Sequence, residues 1–346
     1  MINRLQLFEI DHSLYGASSK ARSDINYIVE KNGYKTILLK TKINSKNILV
    51  KFLEKLIYVL NLLVKCYLLN KGSLLFLQIP FLNLSNLSHF IILLACKIKK
   101  IKIICIIHDI NEIRKKRLSS SGFYHLLDES SVVISHNAAM KQYLAQKSID
   151  ARKIINLEIF DYILNKNEKI IKYEKKIVIA GNLSPQKSGY IDLLKRLQGY
   201  HIDLYGPGYM SEKECKNISY KGCVGSNELP LILNSGFGLV WDGNSIDTCK
   251  GLYGNYLRYN NPHKLSLYLA AGLPVIIWSQ AAEADFVTKN KVGITVDSLY
   301  DLEDIFRNLS EEQYKNMTAH VKTVQKKLVH GYYIYSALKK AEKLIL

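Results

Sequence analysis

The sequence predicts an α/β protein with two doubly wound, Rossmann-like parallel-sheet domains facing a cleft, followed by C-terminal helices. Three observations support this prediction. Short apolar runs typical of buried strands alternate with longer helical patterns. A polar, basic stretch at Asn165–Lys176 interrupts the alternation, which then starts again. The length of 346 residues suits about two domains.

The first half of the sequence predicts strands separated by helices. Ile101–Ile107 is the clearest of these strands. Its continuous apolar run is typical of a strand covered on both faces. The predicted strands are Gln6–Ile10, Tyr34–Leu39, Ser73–Pro80, Ile101–Ile107 and Ser131–Ser135. The predicted helices are Ser18–Asn32, Lys46–Asn70, Leu87–Lys99 and Asn137–Gln146. We place the first domain at residues 1–165 and the linker at Asn165–Lys176.

The second half repeats this alternation. The predicted strands are Ile177–Ala180, His201–Tyr205, Phe237–Trp241, Val275–Trp278 and Gly293–Val296. The predicted helices are Ser188–Leu197, Asn227–Leu233, His263–Ala270 and Ala281–Lys289, and the remaining residues from Leu299 are largely helical. Asn261 is a natural N-cap and Pro262 a natural first residue for the helix that follows them. We place the second domain at residues 173–325 and a helix that packs back on the first domain at 326–346.

The composition excludes several classes of protein. Hydrophobic residues make up 48% and charged residues 23%, which is ordinary for a globular chain. The apolar segments Leu56–Val64 and Leu87–Cys96 are too short to span a membrane and suit buried helices. Glu9 and Asp11 interrupt the N-terminus, so we predict no signal peptide. The six cysteines form no C-x-x-C pair, which favours a reducing cytosol without zinc or disulfides.

The formal charge of +18 is uneven, because residues 1–172 hold 27 Lys and Arg against 13 Asp and Glu. Nucleic acid, an anionic membrane surface and a phosphorylated substrate are the candidate partners, beside a simple solvated basic surface. The sequence contains no RNP-like, helix-turn-helix or zinc-finger pattern, which disfavours nucleic acid.

Ligands of doubly wound folds bind beyond the carboxyl ends of the strands, and the strand Ile177–Ala180 ends in a candidate turn. A glycine there lets a ligand approach the backbone, and the amides of the next helix could hold phosphate. The candidate ligand-binding residues after this strand and after the next strand, His201–Tyr205, are Gly181, Asn182, Leu183, Ser184, Lys187 and Gly206. The alternative is a plain turn capped by Asn182 or Ser184.

The helix after Pro262 carries a second candidate set. His263 and Lys264 place cations in its first turn, where positive charge opposes the helix dipole. This arrangement predicts a bound anion such as a diphosphate, with Ser266 hydrogen-bonded to the same group.

Further candidates follow three other strands. Asp242–Gly243 opens a polar stretch that predicts either a binding loop or a plain turn. His108–Asp109 pairs an imidazole with a carboxylate, which suits a base and its orienter. The alternative is a helix cap at Asp109 with His108 at a packed edge. Asp11–His12 ends the first strand in the same way and opens a loop that contains Gly16.

Taken together, these segments resemble the bacterial β-1,6-galactofuranosyltransferases of O-antigen and capsule assembly. More distantly, they resemble the glucosyltransferases that perform the second step on serine-rich adhesins. The matching stretches are His108–Arg114, Ser135–Met140, Ile159–Tyr162, Ala180–Ser188 and Gly236–Val287.

The resemblance implies the GT-B fold, with a UDP-sugar donor held mainly by the second domain. Gly181 to Ser184 approach the diphosphate or the sugar, and Asp242–Gly243 lines the donor pocket. Asn261, His263 and Lys264 face the phosphates. Lys264 and the helix amides stabilise the leaving UDP in place of a metal, so no metal or other cofactor is expected.

Transfer with inversion requires one base that deprotonates the acceptor hydroxyl. The candidates are Asp11, His12, His108 and Asp109, with His108 preferred. The candidate acceptor-binding residues are Gly16, Lys20 and Arg114.

The acceptor implied by the resemblance is a lipid-linked oligosaccharide or a glycoprotein. We therefore expect a cytoplasmic protein, peripheral on the anionic inner face of the plasma membrane, with homo-oligomerisation left open. A glucosyl or other hexosyl transferase and a non-catalytic partner that keeps the fold are the alternatives.

Overall fold

The computed structural model describes residues 2–9, 17–39, 47–82, 86–115, 121–165, 169–210 and 215–346. In the described chain, two compact units are distinguished. The first comprises Met1–His12, Arg22–Leu157 and Ile334–Leu346, and the second comprises Ser13–Ala21 and Glu158–Tyr333.

The first unit is built on a parallel sheet. Its strands are β1 (Arg4–Glu9), β2 (Lys35–Leu39), β3 (Leu74–Ile79), β4 (Lys102–Ile107), β5 (Val132–Ser135) and β6 (Ile154–Asn156). Its helices are α1 (Ala17–Lys31, shared with the second unit), α2 (Ile48–Tyr67), α3 (Asn86–Ile98), α4 (Asn111–Lys115), α5 (Ser121–Glu129) and α6 (Ala138–Gln146). The strand order is β2-β1-β3-β4-β5-β6, so the direction of winding changes between β1 and β3.

The centre of this sheet is buried because helices pack against it. All six residues of β3 and five of the six in β4 are buried. Alternate residues of both strands share one apolar core with α2, α3, α5 and α6. Asn47 caps α2, since its side chain accepts hydrogen bonds from the amides of Leu49 and Val50.

The second unit repeats the plan with a different strand order. Its strands are β7 (Lys172–Ala180), β8 (His201–Tyr205), β9 (Ile218–Tyr220), β10 (Ser235–Val240), β11 (Val275–Trp278) and β12 (Gly293–Val296). Its helices are α7 (Pro185–Ser188), α8 (Tyr190–Leu194), α9 (Leu229–Ile232), α10 (Gly251–Tyr256), α11 (His263–Ala271), α12 (Ala284–Asn290), α13 (Asp301–Asn308) and α14 (Glu311–Leu328). The order β12-β11-β10-β7-β8-β9 puts the switch of winding between β10 and β7.

The chain ends in helix α15 (Tyr332–Ile345), of which the part from Ile334 belongs to the first unit. Glu342 fixes it there, because its Oε1 lies 2.8 Å from Arg4 Nε and accepts a hydrogen bond from the Tyr34 hydroxyl at 3.1 Å. Among the described residues, no helix is both long and apolar enough to cross a membrane.

The predicted fold class is confirmed, and several local predictions are corrected. The linker prediction is wrong from Lys172 onward, because β7 already begins there. The predicted helix Ser188–Leu197 is shorter in the structure, where α8 covers Tyr190–Leu194 and Ser188 ends the separate helix α7. Strands β6 and β9, each of three residues, were not predicted. The segments Leu56–Val64 and Leu87–Cys96 are helical but only partly buried.

Candidate active site

The turn after β7 is fixed by its own side chains and by the turn after β8. The Leu183 amide donates to the Pro207 carbonyl at 2.8 Å. Asn182 Oδ1 accepts from the Ser184 amide at 2.9 Å. Of the two capping alternatives, Asn182 is therefore the one that forms a side-chain hydrogen bond, whereas Ser184 precedes α7 without one.

Gly206 packs directly against this turn. Its φ of +130° lies in the region that favours glycine. A Cβ at this position would lie 1.9 Å from the carbonyl oxygen of Gly181. The approach of the two turns therefore requires glycine at residue 206.

We expect Gly206→Ala to lower the free energy of unfolding by about 2–6 kcal/mol, because backbone strain and an overpacked contact add together. Gly199→Ala is the matched control, since Gly199 has a φ of +89° but no atom lies within 4 Å of the position that a Cβ would take there. We expect that control to lose about 1–3 kcal/mol. Chemical denaturation measures both variants, and equal losses would contradict the packing role of Gly206.

The loop after β10 is joined to the same turn. The Gly243 amide donates to the Lys187 carbonyl at 2.7 Å, and the Tyr190 amide donates to the Gly243 carbonyl at 3.2 Å. Strands β7 and β10 flank the switch of winding. The candidate residues that follow these two strands thus form one assembly at the place where doubly wound sheets bind ligands.

A buried ion pair lies in this assembly. Lys264 Nζ lies 2.7 Å from Asp242 Oδ1 and donates to the Trp241 carbonyl at 2.9 Å. Lys187 Nζ lies 3.9 Å from the other oxygen of Asp242. Burial lowers the pKa of Lys264, and the Asp242 carboxylate opposes that shift. Two ammonium groups beside one carboxylate leave a positive charge, which suits a diphosphate.

The expectation of two cations in the first turn of α11 is wrong for His263. Burial, with a smaller contribution from the positive charge of Lys20, lowers the pKa of His263 to about 3. The imidazole is therefore neutral at pH 7. Its Nε2 atom is buried and has no hydrogen-bond partner among the described residues.

Helix α11 begins at His263, with Pro262 at the N-cap, so the prediction of Asn261 as N-cap is wrong by one residue. Asn261 Nδ2 instead donates to the Glu158 carbonyl at 3.0 Å. Ser266 Oγ donates to the Phe160 carbonyl at 2.7 Å. Because this bond uses the only hydroxyl proton of Ser266, the side chain secures the segment before β7 in this structure.

Lys20, predicted to bind the acceptor, lies beside these residues of the second unit. Its Nζ donates to the Ile163 carbonyl at 2.8 Å and lies 4.9 Å from the centre of the Tyr162 ring. The ring centres of Tyr162 and His263 are 5.1 Å apart. Lys20 of α1 and His263 of α11 thus both lie against the Tyr162 ring.

In the first unit, Gln78 orients His108, a contact that the sequence did not reveal. Gln78 Nε2 donates to the Arg22 carbonyl at 3.2 Å, which turns its Oε1 toward His108 Nε2 at 2.8 Å. An amide oxygen only accepts, so the neutral ring carries its proton on Nε2 and Nδ1 is the basic nitrogen. Asp109 forms an ion pair with Arg114.

The remaining predicted site residues are Asp11, His12 and Gly16, and they lie outside the described residues. Tyr268 was not among the predicted site residues, although its hydroxyl oxygen accepts from the Ala180 amide at 2.8 Å. In the described parts of the chain, no three His, Cys, Asp or Glu side chains lie close enough to hold a metal ion.

Solved structures share this fold over nearly the whole chain. A lipopolysaccharide outer core galactosyltransferase, WaaB, matches with a TM-score of 0.63 and 11% identity, over 99% of this chain and 100% of that one. An α-glucosyltransferase in complex with UDP matches with a TM-score of 0.57 and 16% identity, over 99% of both chains. The two doubly wound units, each with a parallel sheet, therefore have the GT-B fold.

The chain belongs to the glucosyltransferase 3-like family, whose N-terminal domain matches residues 1–159 and whose C-terminal domain matches residues 177–341. Beta-1,6-galactofuranosyltransferase WbbI of Escherichia coli K12 is 34% identical over 79% of this chain and 80% of its own length. Glucosyltransferase 3 of Streptococcus gordonii is 28% identical over 68% of this chain and 70% of its own.

Proposed function

We propose that the chain transfers a galactofuranosyl unit, with inversion and in β-1,6 linkage, from UDP-galactofuranose to a saccharide acceptor of cell-surface polysaccharide. The observation that carries the proposal is the placement of Lys187 and Lys264 around Asp242 at the switch of the second sheet. The name of the Escherichia coli relative supports the sugar and the linkage. The UDP complex of a protein with the same fold supports the nucleotide.

The second unit would bind the donor. The positive charge left by Lys187, Lys264 and Asp242 offsets the charge of the diphosphate, together with the amides at the start of α11. As the bond between the anomeric carbon and the phosphate oxygen breaks, its electron pair passes to UDP. Fixed cations that stabilise this growing charge fill the role that a metal has elsewhere, so we propose transfer without a metal.

The first unit would supply the base. The acceptor oxygen attacks the anomeric carbon from the face opposite UDP and loses its proton to a side chain. We assign this role to His108, because Gln78 holds the ring with Nδ1 as its basic nitrogen. Asp109 forms an ion pair with Arg114, which we propose as an acceptor-binding residue. Asp11 and His12 remain the other proposed bases.

We propose a lipid-linked oligosaccharide as the acceptor. The chain would be cytoplasmic and would bind this acceptor at the inner face of the plasma membrane. The cationic excess of the first 172 residues supports this placement, because an anionic leaflet attracts lysine and arginine. Lys20 and Gly16 are the other proposed acceptor-binding residues.

Thermal unfolding with UDP, GDP and CMP tests the donor proposal. UDP at about one hundred times its dissociation constant adds about 2.7 kcal/mol of stability, so we expect a shift of several degrees. The shift should be the same with EDTA as with Mg²⁺. A shift that requires Mg²⁺ would contradict the metal-free proposal, and no shift with any nucleotide would favour the non-catalytic partner.

A second candidate function is glucosyl transfer to a glycoprotein, and the family description and the Streptococcus relatives favour it. Four assays separate the candidates, by pairing UDP-galactofuranose or UDP-glucose with a lipid-linked saccharide or a glycosylated serine-rich peptide. Product mass identifies the sugar that was transferred. Transfer of glucose to the peptide alone would overturn the first proposal.

A further inference from the structure

Helix α2 turns its most apolar face away from the first unit. Only Tyr58, Leu62 and Cys66 of this helix are buried. On the opposite side, leucines and a tyrosine recur at spacings of three and four residues with 44 to 80% of their surface exposed. These residues are Leu49, Leu53, Leu56, Leu60, Leu63 and Tyr67.

Other exposed apolar residues broaden this face and continue it onto α3, which packs against α2. On α2, the exposed residues Phe52, Ile57 and Val64 lie beside the row that runs from Leu49 to Tyr67. Leu87, Phe90, Leu94 and Ile98 form a helical stripe on α3 and are 45 to 69% exposed. We call these residues of both helices the outer apolar face. An exposed apolar area of this extent marks a docking surface.

The charges around the outer apolar face are almost all positive. Residues 47–100 contain seven lysines and a single acid, Glu54. Lys51 and Lys55 are exposed near the start of α2, on the side of the helix opposite its exposed apolar row, and Lys97 and Lys100 are exposed at the end of α3. Helices that lie in a membrane interface carry lysines on the polar side and apolar residues on the other.

These features favour a lipid surface over a second copy of the chain. A coiled-coil seam is a narrow stripe, whereas Phe52, Ile57 and Val64 make this face much wider. A second copy would also add its own excess of lysine beside this one, with one glutamate per chain in residues 47–100 to offset it. An anionic bilayer supplies both an apolar layer and negative headgroups.

We propose that the outer apolar face of α2 and α3 inserts in the plane of an anionic membrane, at the boundary between headgroups and acyl chains. The helices would lie along the surface, with this face in the apolar layer and their polar sides toward water. This surface would bring the enzyme to a lipid-linked acceptor, and that consequence alone rests on the proposed function.

The test is cosedimentation of the full chain with phosphatidylethanolamine vesicles that contain phosphatidylglycerol. We expect the wild type to bind and part of the binding to persist at high salt, because apolar insertion is not screened. The double variant Leu53→Gln/Leu60→Gln should bind at least roughly tenfold more weakly. Lys51→Gln/Lys55→Gln should reduce the preference for anionic over phosphatidylcholine vesicles.

The control Ile170→Gln/Met210→Gln alters two apolar residues of the second unit that are 83% and 79% exposed. It should bind like the wild type. Circular dichroism and thermal unfolding check that every variant folds. Wild-type binding by Leu53→Gln/Leu60→Gln would overturn the proposal, as would a dimer that this variant dissociates or a wild type that binds no vesicle. The assay contains no sugar nucleotide, so its failure leaves the transferase proposal standing.

Discussion

Lys264→Met is expected to slow sugar transfer by about a hundred- to a thousandfold, since a fixed cation is lost where charge grows on the leaving UDP. The same substitution should lower the free energy of unfolding by about 3–5 kcal/mol, because it leaves the buried Asp242 carboxylate without its closest cation. Steady-state kinetics on a nucleotide sugar and chemical denaturation measure the two effects separately.

The double variant Asp242→Asn/Lys264→Met separates catalysis from folding. Removing both charges should restore most of the lost stability, because no unpaired buried charge remains. Transfer should stay slow, because the cation is still missing. Recovery of both stability and rate would contradict a role for Lys264 at the diphosphate.

Lys187→Met is the comparison within the same cluster. Lys187 lies 3.9 Å from Asp242 and keeps a quarter of its side chain exposed. We therefore expect a change in stability of less than about 1 kcal/mol, with a loss of donor affinity. A large loss of stability in this variant would indicate that both lysines serve mainly to neutralise Asp242.

The bounds of three short strands could be predicted from the sequence. His201–Tyr205, Val275–Trp278 and Gly293–Val296 agree with the structure, because each is a short run rich in strand-forming residues that ends at a turn residue. Ile218–Tyr220 was missed, since three residues at the edge of a sheet show no periodicity. The polar residues 172–176 begin β7 because pairing with its neighbours, not composition, extends that strand.

The assembly at the switch of the second sheet could be predicted in outline, because parallel strands bring their carboxyl ends to one edge. The ion pair within this assembly could not be predicted. The sequence shows Lys264 opposing the helix dipole, but Asp242 lies in another element and becomes its partner only in the fold. In the same way, the apolar pattern of α2 predicts a helix with one apolar face, but not that this face points outward.

His108→Ala is expected to lower the transfer rate by about a hundred- to ten-thousandfold, which is the usual contribution of a general base. Donor affinity should stay near the wild-type value, because His108 belongs to the first unit and the proposed donor residues belong to the second. Isothermal titration with UDP and a transfer assay give the two quantities. Near-wild-type transfer would exclude His108 as the base.

Gln78 allows a sharper test of the same base, through pH dependence. In Gln78→Glu a carboxylate would face the Nε2–H of His108 and stabilise the imidazolium, so the pKa of His108 should rise. A base acts only when it is deprotonated, so the rise in rate with pH should move to higher pH. If Asp109 were the base, Asp109→Asn would abolish the rise of the transfer rate with pH. Gln78→Glu would then leave the midpoint of that rise unchanged. The two profiles therefore distinguish an imidazole oriented by an amide from a carboxylate held by Arg114.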